Sequence, residues 1–415
     1  MTSRNILKSS LARAVSLFAI SVANVHAAAQ PLKTSQLIAA GQRPVKIVCM
    51  GDSITGVFYH TGGLQAYPEM LEIALHKIYP KAQVTVRNAG VNGDTTRGAL
   101  TRLDRDVLAH QPNLVTVMFG MNDMVRGSLA EFKKNLKDIS TRCRQAGAEV
   151  LLCTQNSVME TAARPGSKLA EYTHAIREVG REESLGVVDC YALYEAVRAR
   201  DPLEWTLLHS DEIHPNMDGH KVFASAIAQS ISGKDVSLKD AGPPEPAMQH
   251  TLASLKAGKP VEVLAMPPYD QLIGPALVRL YPSAKVTVTA WPTEGQSLAQ
   301  LEKAAIAVRS RAMDLVLIAV PASAAVNNPE EFHKQYTWIM NWSLSFGLQQ
   351  WDVVVLPPSI AKPELTADER RHEDLARRLI VAQHLDMIDR PQGDRTPLPD
   401  LIAAWLTEHM QQRTK

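Results

Sequence analysis

Cysteine is scarce in this chain, which has four in 415 residues. The spacing of Cys49, Cys143, Cys153 and Cys190 matches no zinc-binding motif, and the sequence implies neither a metal nor an organic cofactor. Cys49, Cys153 and Cys190 fall in predicted buried strands, where cysteine is usually a small apolar core residue, and Cys143 falls near the end of a predicted helix. Spacing alone assigns no disulfide, so the redox state of the four thiols stays open.

The chain also lacks an excess of charge of either sign. Lysine and arginine number 44 against 43 aspartate and glutamate, so the net charge is +1, and the basic residues are dispersed. Binding to nucleic acid or to an anionic membrane depends on clustered basic residues. The sequence therefore predicts no nucleic-acid partner, and the partner has to be inferred from a site.

Residues 14–25 form an apolar run that is too short to span a bilayer comfortably, which takes about 20 apolar residues. Three basic residues precede this run, and the small residues Ala27, Ala28 and Ala29 follow it. The pattern is typical of a secretory signal peptide over residues 1–29, with a buried helix or a membrane anchor as the alternative. No cysteine lies at the cleavage region, so a lipoprotein anchor is not supported. We expect a secreted or periplasmic protein with no stable membrane insertion after cleavage.

Strands alternate with amphipathic helices along residues 43–231, which we expect to form one domain. Apolar residues recur at helical spacing over 67–78 and 129–143. Short apolar runs predict strands at 45–50, 84–87, 114–119, 149–154 and 186–189. This alternation predicts an α/β fold with a parallel sheet between two layers of helices.

Ser53 follows the first predicted strand, in the turn Gly51-Asp52-Ser53. Ligands bind at the carboxyl ends of strands in open α/β sheets, so this hydroxyl is a candidate nucleophile. A serine hydroxyl needs a base within hydrogen-bond reach, and His214 is the best candidate. Asp211, three residues earlier, can hold the imidazole if the chain turns there.

Each of these residues also has an ordinary structural interpretation. A Gly-Asp-Ser segment is a common turn, and a histidine before a proline is a common loop residue. Asp52 can simply cap the turn that follows it. His60, His209 and His220 lie near the motifs, and we expect them to be polar loop or helix residues and not a second base.

Four segments nevertheless occur together and in a fixed order. Residues 51–54, 88–94, 120–123 and 211–215 read GDSI, NAGVNGD, GMND and DEIHP. In this combination the first half of the chain resembles the SGNH (GDSL-type) hydrolase family. The resemblance implies a flavodoxin-like three-layer α/β/α fold and hydrolysis of esters through a catalytic triad of Ser53, His214 and Asp211. It also implies an oxyanion hole made by the backbone N–H groups of Ser53 and Gly93 and by the side-chain amide of Asn122.

The second half of the chain repeats the first. Residues 281–288 match residues 79–86 almost letter for letter, and the match continues at a similar offset. Residues 232–259 are polar and rich in proline, which is typical of an interdomain linker. We therefore expect two tandem SGNH-like units, with the second at 260–415.

The second unit lacks the residues that the chemistry requires. Tyr269 stands near the position of Ser53, Ser323 replaces Asn122, and no segment resembles the Asp-x-x-His-Pro motif. We expect a degenerate, noncatalytic copy. Its nearby Trp338, Trp342 and Trp351 favour a core or interface role over a platform for sugar rings.

The sequence thus predicts an exported serine esterase that forms an acyl-enzyme on Ser53. A cleft without an evident lid suits a small acyl group, such as acetyl, on a glycan or a small molecule. Related family members hydrolyse lysophospholipids or thioesters, and the fold does not choose between these substrates. Acyl transfer to a sugar hydroxyl, a noncatalytic binding role and a homo-oligomer stay open.

Overall fold

The computed structural model describes residues 32–242, 247–324, 326–391 and 393–411. The predicted signal peptide, residues 1–29, lies outside the described residues. Within the part of the chain that is described, no helix combines the length and the apolar character needed to cross a membrane.

The first half of the chain contains a five-stranded parallel sheet. Its strands are β1 (Val45–Gly51), β2 (Val84–Gly90), β3 (Leu114–Met118), β4 (Glu149–Cys153) and β5 (Gly186–Val188). They lie side by side in the order β2-β1-β3-β4-β5, and every pair is parallel. The strands predicted from the sequence are confirmed, and β2 extends beyond its predicted end to Gly90.

Helices connect these strands and flank the sheet. Their bounds are α1 (Lys33–Ala40), α2 (Tyr67–Ile78), α3 (Thr96–Asp106), α4 (Asp123–Arg126), α5 (Leu129–Gln145), α6 (Gly166–Glu182), α7 (Cys190–Arg200), α8 (Pro202–Thr206) and α9 (Met217–Ser232). Helix α5 begins where Ser128 accepts a hydrogen bond from the N–H of Glu131, and its apolar face lies in the core. The α/β architecture expected from the alternating pattern is present.

The central strands are buried along almost their whole length. In β1 only Lys46 is exposed, and every residue of β3 is buried. Parallel strands that are covered on both faces carry continuous apolar runs, which is why these two were recognisable from the sequence. The sheet therefore holds the residues that follow β1 and β3 on a rigid, closely packed base.

All four cysteines are buried and their thiols are free. Burial raises the pKa of the Cys49 thiol to about 12, so this residue is a thiol at neutral pH. The prediction that Cys190 lies in a strand is wrong. Strand β5 ends at Val188, and Asp189 caps the next helix by accepting a hydrogen bond from the N–H of Ala192, so Cys190 begins α7.

The second half of the chain contains another five-stranded parallel sheet. Its strands are β6 (Val261–Ala265), β7 (Val286–Ala290), β8 (Leu315–Ile318), β9 (Asp352–Val355) and β10 (Asp386–Met387). Its helices are α10 (Gln249–Lys256), α11 (Tyr269–Leu280), α12 (Leu298–Ala305), α13 (Pro329–Ser343), α14 (Ala367–Ala382) and α15 (Leu398–Gln411). The order β7-β6-β8-β9-β10 is the order of the first sheet. The chain therefore consists of two tandem units with the same sheet topology.

Helix α10 lies inside the segment 232–259, for which the sequence predicts a polar linker. Leu252 and Leu255 of this helix are buried in the core of the second unit. Two apolar residues at helical spacing within an otherwise polar segment were too weak a signal to indicate a helix.

The start of α10 is held in the same way as the start of α1. In the first unit, the N–H of Thr34 donates a 2.7 Å hydrogen bond to the carboxylate of Glu149, the first residue of β4. In the second unit, the N–H of Thr251 donates a 2.7 Å bond to the carboxylate of Asp352, the first residue of β9. The repeat therefore includes α10, and we place the beginning of the second unit at this helix.

Candidate active site

Ser53 lies just beyond the carboxyl end of β1, and its side chain meets the loop that precedes α9. Its hydroxyl donates a 2.9 Å hydrogen bond to Nε2 of His214. On the other side of the ring, Nδ1 of His214 lies 2.7 Å from Oδ2 of Asp211. Because an ionised carboxylate only accepts hydrogen bonds, Nδ1 carries the proton and Nε2 is free to accept. The geometry makes Ser53, His214 and Asp211 one continuous chain of hydrogen bonds.

A tight turn brings Asp211 back onto the imidazole, as the spacing of the motif requires. Its Oδ1 accepts hydrogen bonds of 2.8 Å from the backbone N–H groups of Ile213 and His214. Burial of the carboxyl opposes its ionisation. The electrostatic interaction with His214 and the hydrogen bonds from His214 and Tyr59 outweigh this effect and hold the pKa of Asp211 well below its ordinary value. Asp211 is therefore ionised at neutral pH and able to stabilise a positive charge on the ring.

Tyr59 is a member of this site that the sequence did not indicate. Its hydroxyl donates a 2.6 Å hydrogen bond to Oδ2 of Asp211, and its ring meets the His214 ring edge to face at 5.7 Å. Burial and the neighbouring carboxylate raise the pKa of Tyr59 above its ordinary value, so the phenol keeps its proton. No motif marks this tyrosine, because its role depends on a contact across 152 positions of the chain.

His60 packs face to face on the catalytic candidate His214. The two ring centres are 4.6 Å apart and the planes are inclined by 17°. Neither ring nitrogen of His60 has a hydrogen-bond partner among the described residues, and burial lowers its pKa well below the ordinary value. His60 is thus a neutral ring that covers one face of His214.

The expectation that His60, His209 and His220 are polar loop or helix residues misses their burial. All three are buried. Burial lowers the pKa of His220 to about 3, and its Nδ1 accepts a hydrogen bond from the backbone N–H of Tyr67. Its ring lies 5.7 Å from the ring of His60. His60 and His220 therefore pack beside His214 as neutral rings, whereas the ring of His209 packs on Tyr194 and Trp205.

Gly93 and Asn122 come to the same edge of the sheet, after β2 and β3. Gly93 has φ = 71°, a left-handed backbone conformation that favours glycine. The amide nitrogen of Asn122 donates a 3.0 Å bond to the carbonyl of Asp94 and makes only a longer 3.4 Å contact with Asp52. Both hydrogens of this amide therefore have acceptors, and an oxyanion would have to replace the weaker bond to Asp52.

Two arginines contact these candidate oxyanion residues, and no motif in the sequence marks either of them. Arg126 donates a 2.6 Å hydrogen bond to the carbonyl of Gly93. Arg164 donates a 3.2 Å bond to the amide oxygen of Asn122 and a 3.3 Å bond to the carbonyl of Met121. Arg164 at the amide oxygen and the Asp94 carbonyl at the amide nitrogen together fix which way the Asn122 amide faces.

Asp52 lies beneath the site and is fully buried. Its Oδ1 accepts a 2.9 Å bond from the N–H of Ile54, consistent with the expected turn cap, and its Oδ2 accepts a 2.7 Å bond from Gln155. Burial raises the pKa of the Asp52 carboxyl to about 6 even though these hydrogen bonds favour its ionised form. Through its bond with Gln155, Asp52 therefore connects the turn at residues 51–53 to the loop that follows β4.

The equivalent edge of the second sheet carries different residues. Tyr269, near which the sequence predicts the counterpart of Ser53, is the buried first residue of α11, as Tyr67 is the buried first residue of α2. Gly295 has φ = 70°, close to the value of Gly93. Among the residues that the structure describes, no three metal-binding side chains lie together in either unit.

The first half of the chain is similar to known proteins. The model of the GDSL-like lipase/acylhydrolase family matches residues 49–222. The chain is 26% identical over 212 residues to an acetylxylan esterase of Geobacillus stearothermophilus, covering 45% of this chain and 93% of that protein. It is 32% identical over 199 residues to an arylesterase of Vibrio mimicus, covering 47% of this chain and 92% of that protein. It is 27% identical over 187 residues to thioesterase 1/protease 1/lysophospholipase L1 of Escherichia coli, covering 45% of this chain and 82% of that protein.

Proposed function

This chain belongs to the GDSL-like lipase/acylhydrolase family and is a hydrolase of ester bonds, and on that premise we propose that it is an exported serine esterase that removes small acyl groups, chiefly acetyl, from carbohydrate. The observation that carries the mechanism is the chain of hydrogen bonds from Ser53 through His214 to Asp211, with lengths of 2.9 and 2.7 Å. This is the arrangement that a serine needs in order to become a nucleophile at neutral pH.

In the first half of the reaction, Oγ of Ser53 attacks the ester carbonyl carbon while Nε2 of His214 takes its proton. Asp211 stabilises the imidazolium that forms. The tetrahedral oxyanion accepts hydrogen bonds from the N–H groups of Ser53 and Gly93 and from the amide nitrogen of Asn122. When the intermediate collapses, the bond to the alcohol breaks and the alcohol leaves with the proton from His214.

In the second half, water attacks the acyl-enzyme. His214 removes a proton from the water, the oxyanion forms again in the same place, and the carboxylic acid is released as Ser53 recovers its hydrogen. Asn122 and the two backbone N–H groups are each used twice. Loss of one oxyanion donor typically lowers turnover by ~10²–10³-fold, so Asn122→Ala is expected to reduce both acylation and deacylation.

One observation supports a small acyl group on carbohydrate. The relative from Geobacillus stearothermophilus bears the name acetylxylan esterase and is matched over 93% of its length. We extend its substrate class to this chain as part of the proposal.

A second candidate is hydrolysis of lysophospholipids or thioesters. It is favoured by the Escherichia coli relative, whose name includes both thioesterase and lysophospholipase, and which is matched over 82% of its length. This candidate uses the same residues with a different acyl chain. An O-acyltransferase or a binding protein is distinguished from both by the absence of Ser53-dependent hydrolysis.

The test is a series of initial rates on p-nitrophenyl esters from acetate to laurate, followed by acetylated xylan and lysophosphatidylcholine. Ser53→Ala is compared with Ser140→Ala, in which the lost hydroxyl is buried on α5 and bonded to Leu136. We expect Ser53-dependent activity that is highest on acetate and on acetylated xylan. A preference for long chains would favour the second candidate, and unchanged hydrolysis by Ser53→Ala would contradict the mechanism.

Export is tested separately by expressing the full chain in a Gram-negative host and sequencing the N terminus of the protein in the periplasm and medium. We expect a mature N terminus after Ala27 or Ala29. Full-length protein retained in the cytoplasm would contradict this part of the proposal.

A further inference from the structure

The second unit contacts the part of the first unit that carries the base of the site. We define the acid–base loop as residues 210–214, which include Asp211 and His214. Helix α13 of the second unit packs against this loop. We propose that the second unit positions the acid–base loop for catalysis and that Asn341 on α13 is the principal positioning residue. This inference rests on the proposed function of the first unit.

Asn341 makes two complementary hydrogen bonds with Ser210, the first residue of the acid–base loop. Its amide nitrogen donates a 2.6 Å bond to the carbonyl of Ser210, and its amide oxygen accepts a 3.0 Å bond from the Ser210 hydroxyl. Both residues are fully buried. Buried polar groups that lose such partners cannot turn to water, so the pair fixes the backbone immediately before Asp211.

Glu212, in the middle of the same loop, is held by two further residues of α13. The indole N–H of Trp338 donates a 3.1 Å bond to one carboxylate oxygen, and Lys334 forms a 3.0 Å ion pair with the other. Glu212 directly follows Asp211 in the chain. The acid–base loop is therefore attached to the second unit on both sides of Asp211.

The second unit also supports Tyr59, the tyrosine that donates to Asp211. The guanidinium of Arg309 lies over the Tyr59 ring at 4.9 Å, and it also lies over the rings of Trp342 at 4.5 Å and Phe346 at 5.2 Å. A cation over an aromatic ring is attracted by the negative face of the ring. Trp338 stacks on the other aromatic members, at 6.0 Å from Tyr59 and 5.3 Å from Trp342.

Arg309 is itself anchored by the helix that carries Asn341. It donates a 2.6 Å hydrogen bond to the carbonyl of Asn341 and a 3.2 Å bond to the carbonyl of Leu344. Asn341 acts through Ser210, and Arg309 acts through Tyr59, which donates to Asp211. The hydrogen bonds of Arg309 to the end of α13 join these two contacts. The rings of Tyr59, Trp338, Trp342 and Phe346 stack on one another or lie against Arg309. We therefore infer that they serve the contact between the units and not a sugar platform.

This arrangement gives the noncatalytic unit a defined task. His214 reaches Ser53 only if the turn at 211–214 keeps its shape, and Asp211 holds the ring only while Tyr59 and the backbone hold Asp211. Displacement of a reacting group by about 1 Å can cost ~10²-fold in rate, because proximity and alignment supply a large part of the barrier reduction. Loss of this positioning should therefore slow the chemical steps and leave substrate binding unchanged.

The experiment compares Asn341→Ala with Ser343→Ala in the full chain. Ser343 is also buried on α13, but its hydroxyl donates within the helix, to the carbonyl of Ile339 at 2.7 Å. Steady-state rates on p-nitrophenyl acetate are divided by the number of sites that react with a serine-directed organophosphonate. We expect kcat per reactive site to fall ~10–100-fold in Asn341→Ala, with KM within about twofold of wild type, and little change in Ser343→Ala.

A fall in kcat that is equal in both variants, or no fall beyond twofold in Asn341→Ala, would overturn the inference. If Asn341→Ala does not fold, Trp338→Phe takes its place, with Trp351→Phe as its control. Each of these loses one indole hydrogen bond, to Glu212 and to the carbonyl of Ser343 respectively. We expect a lower kcat only for Trp338→Phe, and equal kcat values would overturn the inference.

The experiments distinguish failure of the proposed function from failure of this inference. Hydrolysis that persists in Ser53→Ala removes the basis of both proposals. If hydrolysis depends on Ser53 but kcat is unchanged in the Asn341 and Trp338 variants, the proposed function stands. Only the role of the second unit is then overturned.

Discussion

The hydroxyl of Tyr59 donates a 2.6 Å hydrogen bond to Oδ2 of Asp211, the same oxygen that faces Nδ1 of His214 at 2.7 Å. One carboxylate oxygen therefore serves two donors, and the tyrosine competes with the histidine for it while holding it in place. Residues of the second unit pack against the ring of Tyr59. Through Tyr59, the second unit therefore supports the Asp211 oxygen that holds His214.

Tyr59→Phe isolates that hydrogen bond, because the phenylalanine ring keeps the packing against Arg309 and Trp338. Hydrogen bonds to a charged group contribute ~1.5–3 kcal/mol, so the free energy of unfolding at pH 7 should fall by about that amount. Urea unfolding of wild type and variant measures it. Equal stabilities would show that the Tyr59 hydroxyl is satisfied elsewhere and does not support Asp211.

Arg164→Gln tests the orientation of Asn122. Without the guanidinium donor at its oxygen, the Asn122 amide is held only through its nitrogen, by Asp94 and Asp52, so we expect kcat to fall by ~10-fold or more with KM little changed. Steady-state kinetics on p-nitrophenyl acetate measures both constants. An unchanged kcat in Arg164→Gln would contradict the orienting role.

Asp52→Asn tests the buried carboxyl beneath the nucleophile through the pH dependence of stability. The pKa of Asp52 is about 6 in the folded chain and its ordinary value is 3.8, so the folded state binds this proton more tightly than the unfolded state. Its contribution to stability is therefore present below pH 4, declines as pH rises towards 6 and is lost above it. The decline amounts to about 3 kcal/mol, at ~1.4 kcal/mol for each unit of pKa.

The variant has no such proton, and every other titrating group is common to both proteins. Urea unfolding at pH 4, 5, 6 and 7 should show Asp52→Asn gaining stability relative to wild type across this range. The unpartnered oxygen of Gln155 can turn to accept from the new amide, so the variant is expected to fold. A difference between the two proteins that does not change with pH would contradict the raised pKa.

The residues that could be found from the sequence are those marked by local patterns. Ser53 and Asn122 each follow an apolar run that is recognisable as a buried strand, and the Asp211 to His214 spacing lies within one turn. The strand order came from family resemblance and not from composition. Most of the first sheet was therefore predictable, because parallel strands buried on both faces have a strong apolar signal.

The residues that escaped prediction act over long separations in the chain. Tyr59 reaches Asp211 across 152 positions, Arg164 reaches Asn122 across 42, and Asn341 reaches Ser210 across 131. A tyrosine, an arginine or an asparagine in such a position looks like any other polar residue until the fold brings the partner close. The helix α10 was missed for a different reason, since its polar composition and the prolines before it outweighed two apolar residues.

The most direct test of the account is to find which residue is modified by a serine-directed organophosphonate, by mass spectrometry of peptides from the inactivated full-length enzyme. We predict a single adduct on Ser53 that forms in proportion to the loss of esterase activity, and much slower labelling in His214→Ala. An adduct on another residue, or full inactivation without modification of Ser53, would contradict the assignment of Ser53 as the nucleophile activated by His214.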